Sequence, residues 1–338
     1  MNILFTCAGR RNYLINYFKE ALKGSGKVYA TDSNLTAAAL AEADVAIHVP
    51  SIYDDTYIDT ILEIVKKNDI KAVIPLIDLE LPLLAASKEL FSKINVQVIV
   101  SSASVIDITF DKLQTIRFLE TAGLASPQTF VSLDEAKDAI ENGSLRFPVI
   151  LKPRWGSGSI GIDIAEDSTE LELAYQLLTK RLSRTILAKA NSGNEDAAIL
   201  IQEKITGVEF GIDVLNNLNG EYIGTFARKK IGMRSGSTDK AVSVLNSELE
   251  SIGQRIGSHL KHIGNLDCDV LKSGDNYYVI DLNPRFGGGY PFSHLAGVNT
   301  PAIYLEWLAN GNSIDQYINY MPGVLHAKYD KLIRINTP

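Results

Sequence analysis

Apolar and polar positions repeat along this chain with two periods, and the changes of period locate the elements. Residues 2–6 form a short apolar run. The next segment repeats apolar side chains at helical spacing through Leu14, Tyr17, Phe18, Ala21 and Leu22. Gly24 and Gly26 end that helix, and residues 28–31 read as a strand. The cycle returns with a helix over 57–67 (Ile58, Ile61, Leu62, Val65) and a strand over 72–76. It returns once more with a helix over 81–91 and a strand over 96–100. Strands alternating with helices at this spacing predict right-handed βαβ units on a parallel sheet.

Beyond Ser101 the pattern changes. Asp111 is placed to cap a helix through Leu119, closed by Gly123, and Ser132-x-x-Glu135 is a capping box opening a helix toward Ile140. Strands over 147–152 and 160–165 flank a glycine-rich turn, a helix follows at 169–180, and 190–196 reads as a polar loop. Longer, antiparallel-looking strands come next at 199–204, 208–215 and 222–227. A helix over 248–263 precedes a hairpin of 266–271 and 277–282 around Ser273-Gly274-Asp275.

Composition bounds this picture. At 338 residues, two or three packed units are expected. With 46% hydrophobic and 22% charged residues, a disordered or low-complexity chain is excluded. No apolar run reaches the roughly 18–20 residues of a membrane-spanning helix. The first residues place apolar side chains before the charges, the reverse of a signal peptide. The 2 cysteines form no disulfide framework or metal-ligand spacing. A cytoplasmic protein with no membrane partner is therefore expected. A net charge of −7 with scattered signs argues against nucleic-acid binding, while leaving room for a local cationic site.

Chemistry concentrates in two segments. In Val149-Ile-Leu-Lys-Pro-Arg-Trp-Gly-Ser-Gly-Ser-Ile-Gly-Ile162 a strand ends in Lys152, and a loop with Gly156, Gly158 and Gly161 leads into the next strand. Glycines let backbone N–H groups approach phosphate oxygens, Ser157 and Ser159 add donors, and Lys152 adds a fixed charge. A plain hairpin turn is the alternative; a Walker A loop is excluded, since no Gly-Lys-Ser/Thr opens a helix. The second segment holds Asp267, Asp269, Asp281, Asn283 and Arg285. Alternate residues of a strand share a face, so Asp281 and Asn283 project together. Asp269 on the neighbouring strand can join them, and this oxygen set suits Mg²⁺. Asp267 is equally able to face away, and two polar strand ends would read the same.

Taken in order, these segments resemble the ATP-grasp superfamily, most of all its carbamoyl-phosphate-synthase-like and amino-acid-ligase branches. The resemblance runs from the βαβ start through Asp111-Lys112, Lys152-Pro153 with the glycine loop, Ile201-Gln202-Glu203-Lys204 and Asp281-x-Asn283-x-Arg285. It implies an ATP-grasp fold of α/β and α+β parts. These are a Rossmann-like domain at 1–104, a lid with the flap at 105–198, and a body with the metal site at 199–338. It implies that Lys112 and Lys152 hold ATP phosphates under a flap of Gly156, Ser157, Gly158, Ser159 and Gly161. Gln202, Glu203 and backbone groups through Ile205 would read adenine, and Glu209 the ribose. Asp269, Asp281 and Asn283 would hold Mg²⁺ (or Mn²⁺), with Arg285 on phosphate. The family usually has Glu where Asp281 stands, and often Glu or Gln at Asp269, which puts bidentate coordination in question.

The resemblance implies ATP-dependent joining of a small carboxylate to an amine through an acylphosphate, with ADP and phosphate released. A homodimer is also in keeping with it. Bicarbonate activation is the alternative, and a catalytically inactive ATP-binding module the third reading. On the substrate side, Arg228-Lys229-Lys230 and the segment to Lys240 read as a flexible cationic stretch. Arg228 and Arg234 would hold the substrate carboxylate, unless this is a solvated basic loop. In the first domain Asp32 ends a strand, but Gly-x-Gly-x-x-Gly is missing around Gly9 and NAD is not expected. Asp78 and Glu80 follow a strand and are expected to face the same cleft, as candidates for the amine. Cys7 is expected to pack, and His294 to be structural.

Overall fold

The computed structural model describes residues 1–156, 158 and 160–335. The N-terminal part runs β1 (Asn2–Thr6), α1 (Asn12–Leu22), β2 (Val28–Asp32), α2 (Ala38–Glu42), β3 (Val45–His48), α3 (Tyr57–Lys67), β4 (Ile70–Pro75), α4 (Leu81–Ser92) and β5 (Gln97–Val98). All pairings are parallel, in the order β3-β2-β1-β4-β5. Alternation in β1 sends Ile3 and Phe5 to one core and Leu4 to the core on the other face. Burial on both faces is why this strand reads as a continuous apolar run. At 5 and 4 residues, α2 and β3 are too short to show a period.

Next come α5 (Ala103–Phe110) and α6 (Lys112–Thr121), the latter capped by Asp111, whose Oδ1 accepts from the Leu113 N–H at 3.0 Å. The sequence reading had no helix at α5, because its strongly apolar run lacks a polar face. The chain continues through β6 (Thr129–Phe130), α7 (Leu133–Glu141), β7 (Val149–Pro153), β8 (Asp163–Ala165), α8 (Ser168–Leu182), α9 (Ala188–Asn191) and β9 (Ile199–Glu203). Ser132 caps α7 as the capping box predicts, accepting from the Asp134 and Glu135 N–H groups. These strands form an antiparallel sheet in the order β6-β9-β7-β8. So β9 sits in the small sheet with the glycine loop. Val105, Leu119 and Ala122 of α5, α6 and its C-terminal end instead pack with the C-terminal core.

That last part holds β10 (Val208–Asn216), β11 (Tyr222–Arg234), β12 (Ser237–Val244), α10 (Ser247–Leu260), β13 (Gly264–Ser273), β14 (Asn276–Asn283), α11 (Tyr290–Leu295), α12 (Thr300–Leu308) and β15 (Leu325–Ala327). The six-stranded sheet is ordered β14-β13-β10-β11-β12-β15. Its two faces are sorted by alternation. Phe210, Ile212, Val214, Cys268 and Val270 bury against α10, α5 and α6. The intervening residues point the other way, toward the small sheet and the N-terminal part. Phe286 and Tyr304 join the core of Phe5 and Phe18 there, with Phe18–Phe286 ring centroids 6.3 Å apart. Among the described residues no helix is long and apolar enough to cross a membrane.

Candidate functional site

Register builds the charged face. Asp213 pairs with Asp267, and Gly211 pairs with Asp269 on one side and Arg228 on the other. Across the next strand Asp267 pairs with Asn283, and Asp269 with Asp281. Cross-strand partners share a face. Asp267 is therefore on the site side with Asp269, Asp281 and Asn283, where the sequence had left its direction open.

Arg228 is the centre of this face and is 1% exposed. It donates to Asp213 at 2.5 Å, to Asp267 at 2.8 Å and to Ser293 at 3.4 Å. Asp213 is fixed in turn by Asn265 at 2.9 Å and Ser293 at 2.6 Å. The expected flexible cationic stretch does not exist here: Arg228 to Lys240 lie in the β11–β12 hairpin, turning at Ser235-Gly236. Arg234, half-exposed, pairs with Asp330 at 2.7 Å and Asp239 at 3.2 Å, outside this cluster. The turn Gly287-Gly288-Gly289 lies directly over these groups. A Cβ on Gly287 would come within 2.0 Å of the Asp267 carboxyl, and one on Gly289 within 2.1 Å of the Arg228 guanidinium. Only glycine fits at either place.

At the β14 edge the chain brings together residues far apart in sequence. Lys112 donates to Asp281 Oδ1 at 2.7 Å, and Asn283 donates to Asp281 Oδ2 at 3.2 Å. Burial pushes the Asp281 carboxyl up, but Lys112 and Lys152 outweigh it and hold the group below its usual range. Lys152, buried at the end of β7, is lowered to about 8, by burial first and by Lys112 second. Lys112 is positioned by its cap: the Arg154 carbonyl accepts from the Lys112 N–H at 3.2 Å, and Arg154 binds Asp111 with 2.7 and 2.6 Å contacts. A third lysine, Lys230, bridges Glu209 and Asp269, both at 2.6 Å. Burial raises Asp269 to about 6 against the pull of Lys230.

Arg285 donates to Asp78 at 2.7 Å and lies 3.6 Å from Asp267, so the N-terminal part reaches this face through Asp78. Glu80 does not face the cleft as expected. It is fully buried, accepting from Tyr57 at 2.6 Å and Thr6 at 2.9 Å, because its helical turn aims it back into the parallel sheet. Asp32 accepts from the Gly9 N–H at 2.8 Å and closes the β1 turn. His294 stacks on Tyr17 at 3.7 Å and is lowered to about 4 by burial, so it is neutral at pH 7.

On the small sheet, the Gln202 side chain is buried and donates to Thr129 at 2.7 Å. Glu203 is half-buried, with Oε2 accepting from the Gln128 N–H at 3.4 Å, and Ile205 is half-buried just past β9. The loop after Lys152 keeps Gly158 and Gly161 at φ of 65° and 76°, a backbone that disfavours side chains with a Cβ. A Cβ on Gly156 would come within 3.2 Å of the Pro153 side chain. Ser157 and Ser159 lie outside the described residues.

The sequence reading pointed to neither Asp213 nor Lys328, and to Lys230 only as part of the cationic stretch. Lys328, just past β15, donates to the Gly288 carbonyl at 2.7 Å and to Ser237 at 3.2 Å. Asp213 had a local signal, since Glu209, Gly211 and Asp213 interrupt an apolar strand at every second position. Lys328 had none, because its place depends on β15 joining β12 from far along the chain.

Among the described residues no three His, Cys, Asp or Glu side chains form a ready-made metal cluster. The donors present are hard oxygens, Asp281 and Asn283 on one strand and Asp269 opposite. Each carboxylate is covered by an ammonium. Such a set fits a divalent cation whose shell is completed by phosphate oxygens and water.

Comparison with known proteins agrees with this arrangement. Residues 3–99 match the model of the PylC-like N-terminal domain, and residues 109–289, more than half of the chain, match that of the ATP-grasp domain. A carbamoyl-phosphate synthase of Methanobrevibacter smithii is 26% identical over 301 residues, 84% of this chain and 75% of that protein. The carbamoyl phosphate synthase large chain of Rubrobacter xylanophilus is 22% identical over 83% of this chain, which spans only 28% of it. Among solved structures, a biotin carboxylase–β,γ-ATP complex of Campylobacter jejuni has a TM-score of 0.73 at 19% identity, covering 92% of this chain and 71% of that one. A biotin carboxylase domain dimer of Hydrogenobacter thermophilus 2-oxoglutarate carboxylase, with MgADP and bicarbonate, gives 0.71 at 16%, covering 95% and 71%. An L-amino acid ligase of Bacillus licheniformis gives 0.68 at 19%, covering 95% and 77%. These structural likenesses concern the fold, while the domain match spans the residues that carry the site: the chain belongs to the ATP-grasp family of ligases.

Proposed function

We propose that this protein is an ATP-dependent carboxylate–amine ligase that works through an acylphosphate. The observation that carries this reading is the Lys112–Asp281 contact with Lys152 and Asn283 beside it. Cations and hard oxygens from the small sheet and the large one meet there, as a triphosphate requires. In this reading Lys112 and Lys152 hold phosphate oxygens, with Gly156, Gly158 and Gly161 in the covering loop. Ser157 and Ser159 belong to the same proposed loop. Glu203 and the backbone through Ile205 read adenine, and Glu209 the ribose. Gln202 supports that strand from within the lid rather than touching the nucleotide, in keeping with its bond to Thr129.

Asp281, Asn283 and Asp269 would hold Mg²⁺, the ammoniums of Lys112 and Lys230 moving to phosphate or solvent as it enters. Bound there, Mg²⁺ would neutralise the transferring phosphoryl group. Mn²⁺ suits the same oxygens. A carboxylate oxygen of the acid attacks the γ-phosphorus and ADP leaves. The amine then attacks the acyl carbon, loses a proton and expels phosphate. Arg285 faces the transferring phosphoryl group. Arg228, locked between Asp213 and Asp267, keeps Asp267 and the glycine turn in place, a positioning role in preference to gripping the substrate. Closure excludes water, so the chemistry needs charge neutralisation and no protein nucleophile.

The test is phosphate release from Mg²⁺-ATP with pools of carboxylic acids and amines. Release that requires one member of each pool supports the ligase. Release that requires bicarbonate supports carboxyphosphate formation, the second reading, favoured by the extent of alignment with the Methanobrevibacter smithii protein. ATP binding with no turnover in any pool would leave a nucleotide-binding module.

A further inference from the structure

Arg11 lies on the seam between the parallel-sheet part and the charged face, and the proposed nucleotide site makes no use of it. It sits in the turn after β1, immediately before α1. There the strand order reverses between β1 and β4, the place where open parallel sheets take ligands. Its strongest electrostatic neighbours are Tyr13, Arg285, Asp78 and Asp267, with none of Lys112, Lys152 or Asp281 among them. The acids are already engaged: Asp78 accepts from Arg285 at 2.7 Å and Asp267 from Arg228 at 2.8 Å. The Arg11 Nε is buried without a hydrogen-bond partner, a costly arrangement for a charged group. Tyr13, two residues on, donates to the Gly287 carbonyl at 3.2 Å and fixes this edge against the glycine turn.

We propose that Arg11 binds a second, non-reacting oxyanion of the substrate, a carboxylate or a phosphate, and so selects substrates that carry one. The proposal rests on the ligase reading above. On that reading the reacting carboxylate lies by Lys112, Lys152 and Asp281, while Arg285 is an electrostatic neighbour of both Asp281 and Arg11. A substrate spanning both therefore needs anionic groups at two places. The planar guanidinium suits two-oxygen recognition, and the bound oxyanion completes the hydrogen bonding of a group that burial disfavours.

The test is calorimetric titration of the full chain with MgADP present, using acetate, succinate and phosphoglycolate as probes. The expected result is that succinate or phosphoglycolate binds at least about tenfold more tightly than acetate, as one charge-assisted contact implies. A gain for succinate identifies a carboxylate and a gain for phosphoglycolate a phosphate. Arg11→Gln should abolish the gain, and Arg11→Lys should retain part of it. ADP affinity should change less than about twofold in both variants, which also shows that they fold. The proposal is overturned if neither probe binds better than acetate, or if Arg11→Gln leaves the gain intact. Failure of the wild-type chain to bind ADP would instead remove the ligase reading and leave the anion titrations to stand by themselves.

Discussion

Glu80, fully buried, and Asp281, half-buried, are both carboxylates near strand ends, yet they are stabilised in opposite ways. Glu80 accepts from neutral groups, the Tyr57 hydroxyl at 2.6 Å, the Thr6 hydroxyl at 2.9 Å and the Cys7 thiol, and burial raises it to about 7. Asp281 is also pushed up by burial, but Lys112 and Lys152 more than offset it. Hydroxyls fix where a carboxylate stands without balancing its charge. Cations balance the charge, and one cation can replace another. Glu80 is thus a structural joint of the N-terminal part, while Asp281 stands ready to exchange an ammonium for a metal ion.

The largest effect expected on this contrast comes from removing a cation outright. Arg228→Ala would leave Asp213 buried without a cation and Asp267 with Arg285 alone, at 3.6 Å, and cost about 3–5 kcal/mol in urea unfolding; wild-type stability would show that the cluster does not depend on charge balance. Asp281→Ala should leave the fold nearly as stable, because Lys112 is still partly solvated. It should lower Mg²⁺-dependent turnover on the order of 10³-fold, measured as phosphate release. Unchanged turnover would remove the metal assignment.

A smaller effect concerns Lys152, lowered to about 8. Its charged form, the one that holds phosphate, is lost as pH rises through that value. ATP affinity should therefore weaken about tenfold between pH 7 and 9, and Lys152→Arg should flatten the profile. Smallest is the joint: Tyr57→Phe should cost about 1 kcal/mol. Glu80 has a folded value of about 7 against an ordinary 4.5, so the folded state holds its proton more tightly. Its contribution to stability should fall as pH rises from 4.5 to 7, and Glu80→Gln should remove that slope in unfolding titrations.

What could be read in the sequence was whatever is written locally. The βαβ alternation, the Ser132 and Asp111 caps, and the Asp281-x-Asn283 spacing each depend on a few neighbouring residues. The direction of Asp267 is legible too, since it shares strand parity with Asp269. Non-local pairing was beyond reach. Lys230 reaches Asp269 only through the β13–β10–β11 order, and Arg285 finds Asp78 across 207 positions. Arg228 to Lys240 misled because a charged run suggests solvent, whereas in β11 alternate charges turn inward to meet acids on neighbouring strands. Glu80 misled for the opposite reason. It follows a strand just as a cleft residue would, and only the tight turn Asp78–Glu80 sends its carboxyl back under the sheet.

The central claim is that a substrate carboxylate oxygen attacks the γ-phosphate. It is tested most directly by labelling the carboxylate of the acid found in the phosphate-release screen with ¹⁸O and analysing the released phosphate. The account predicts one ¹⁸O transferred into phosphate per amide bond formed, with labelled phosphate accumulating on the order of 10³-fold more slowly in the Asp281→Ala variant. Phosphate free of label during wild-type turnover would contradict it.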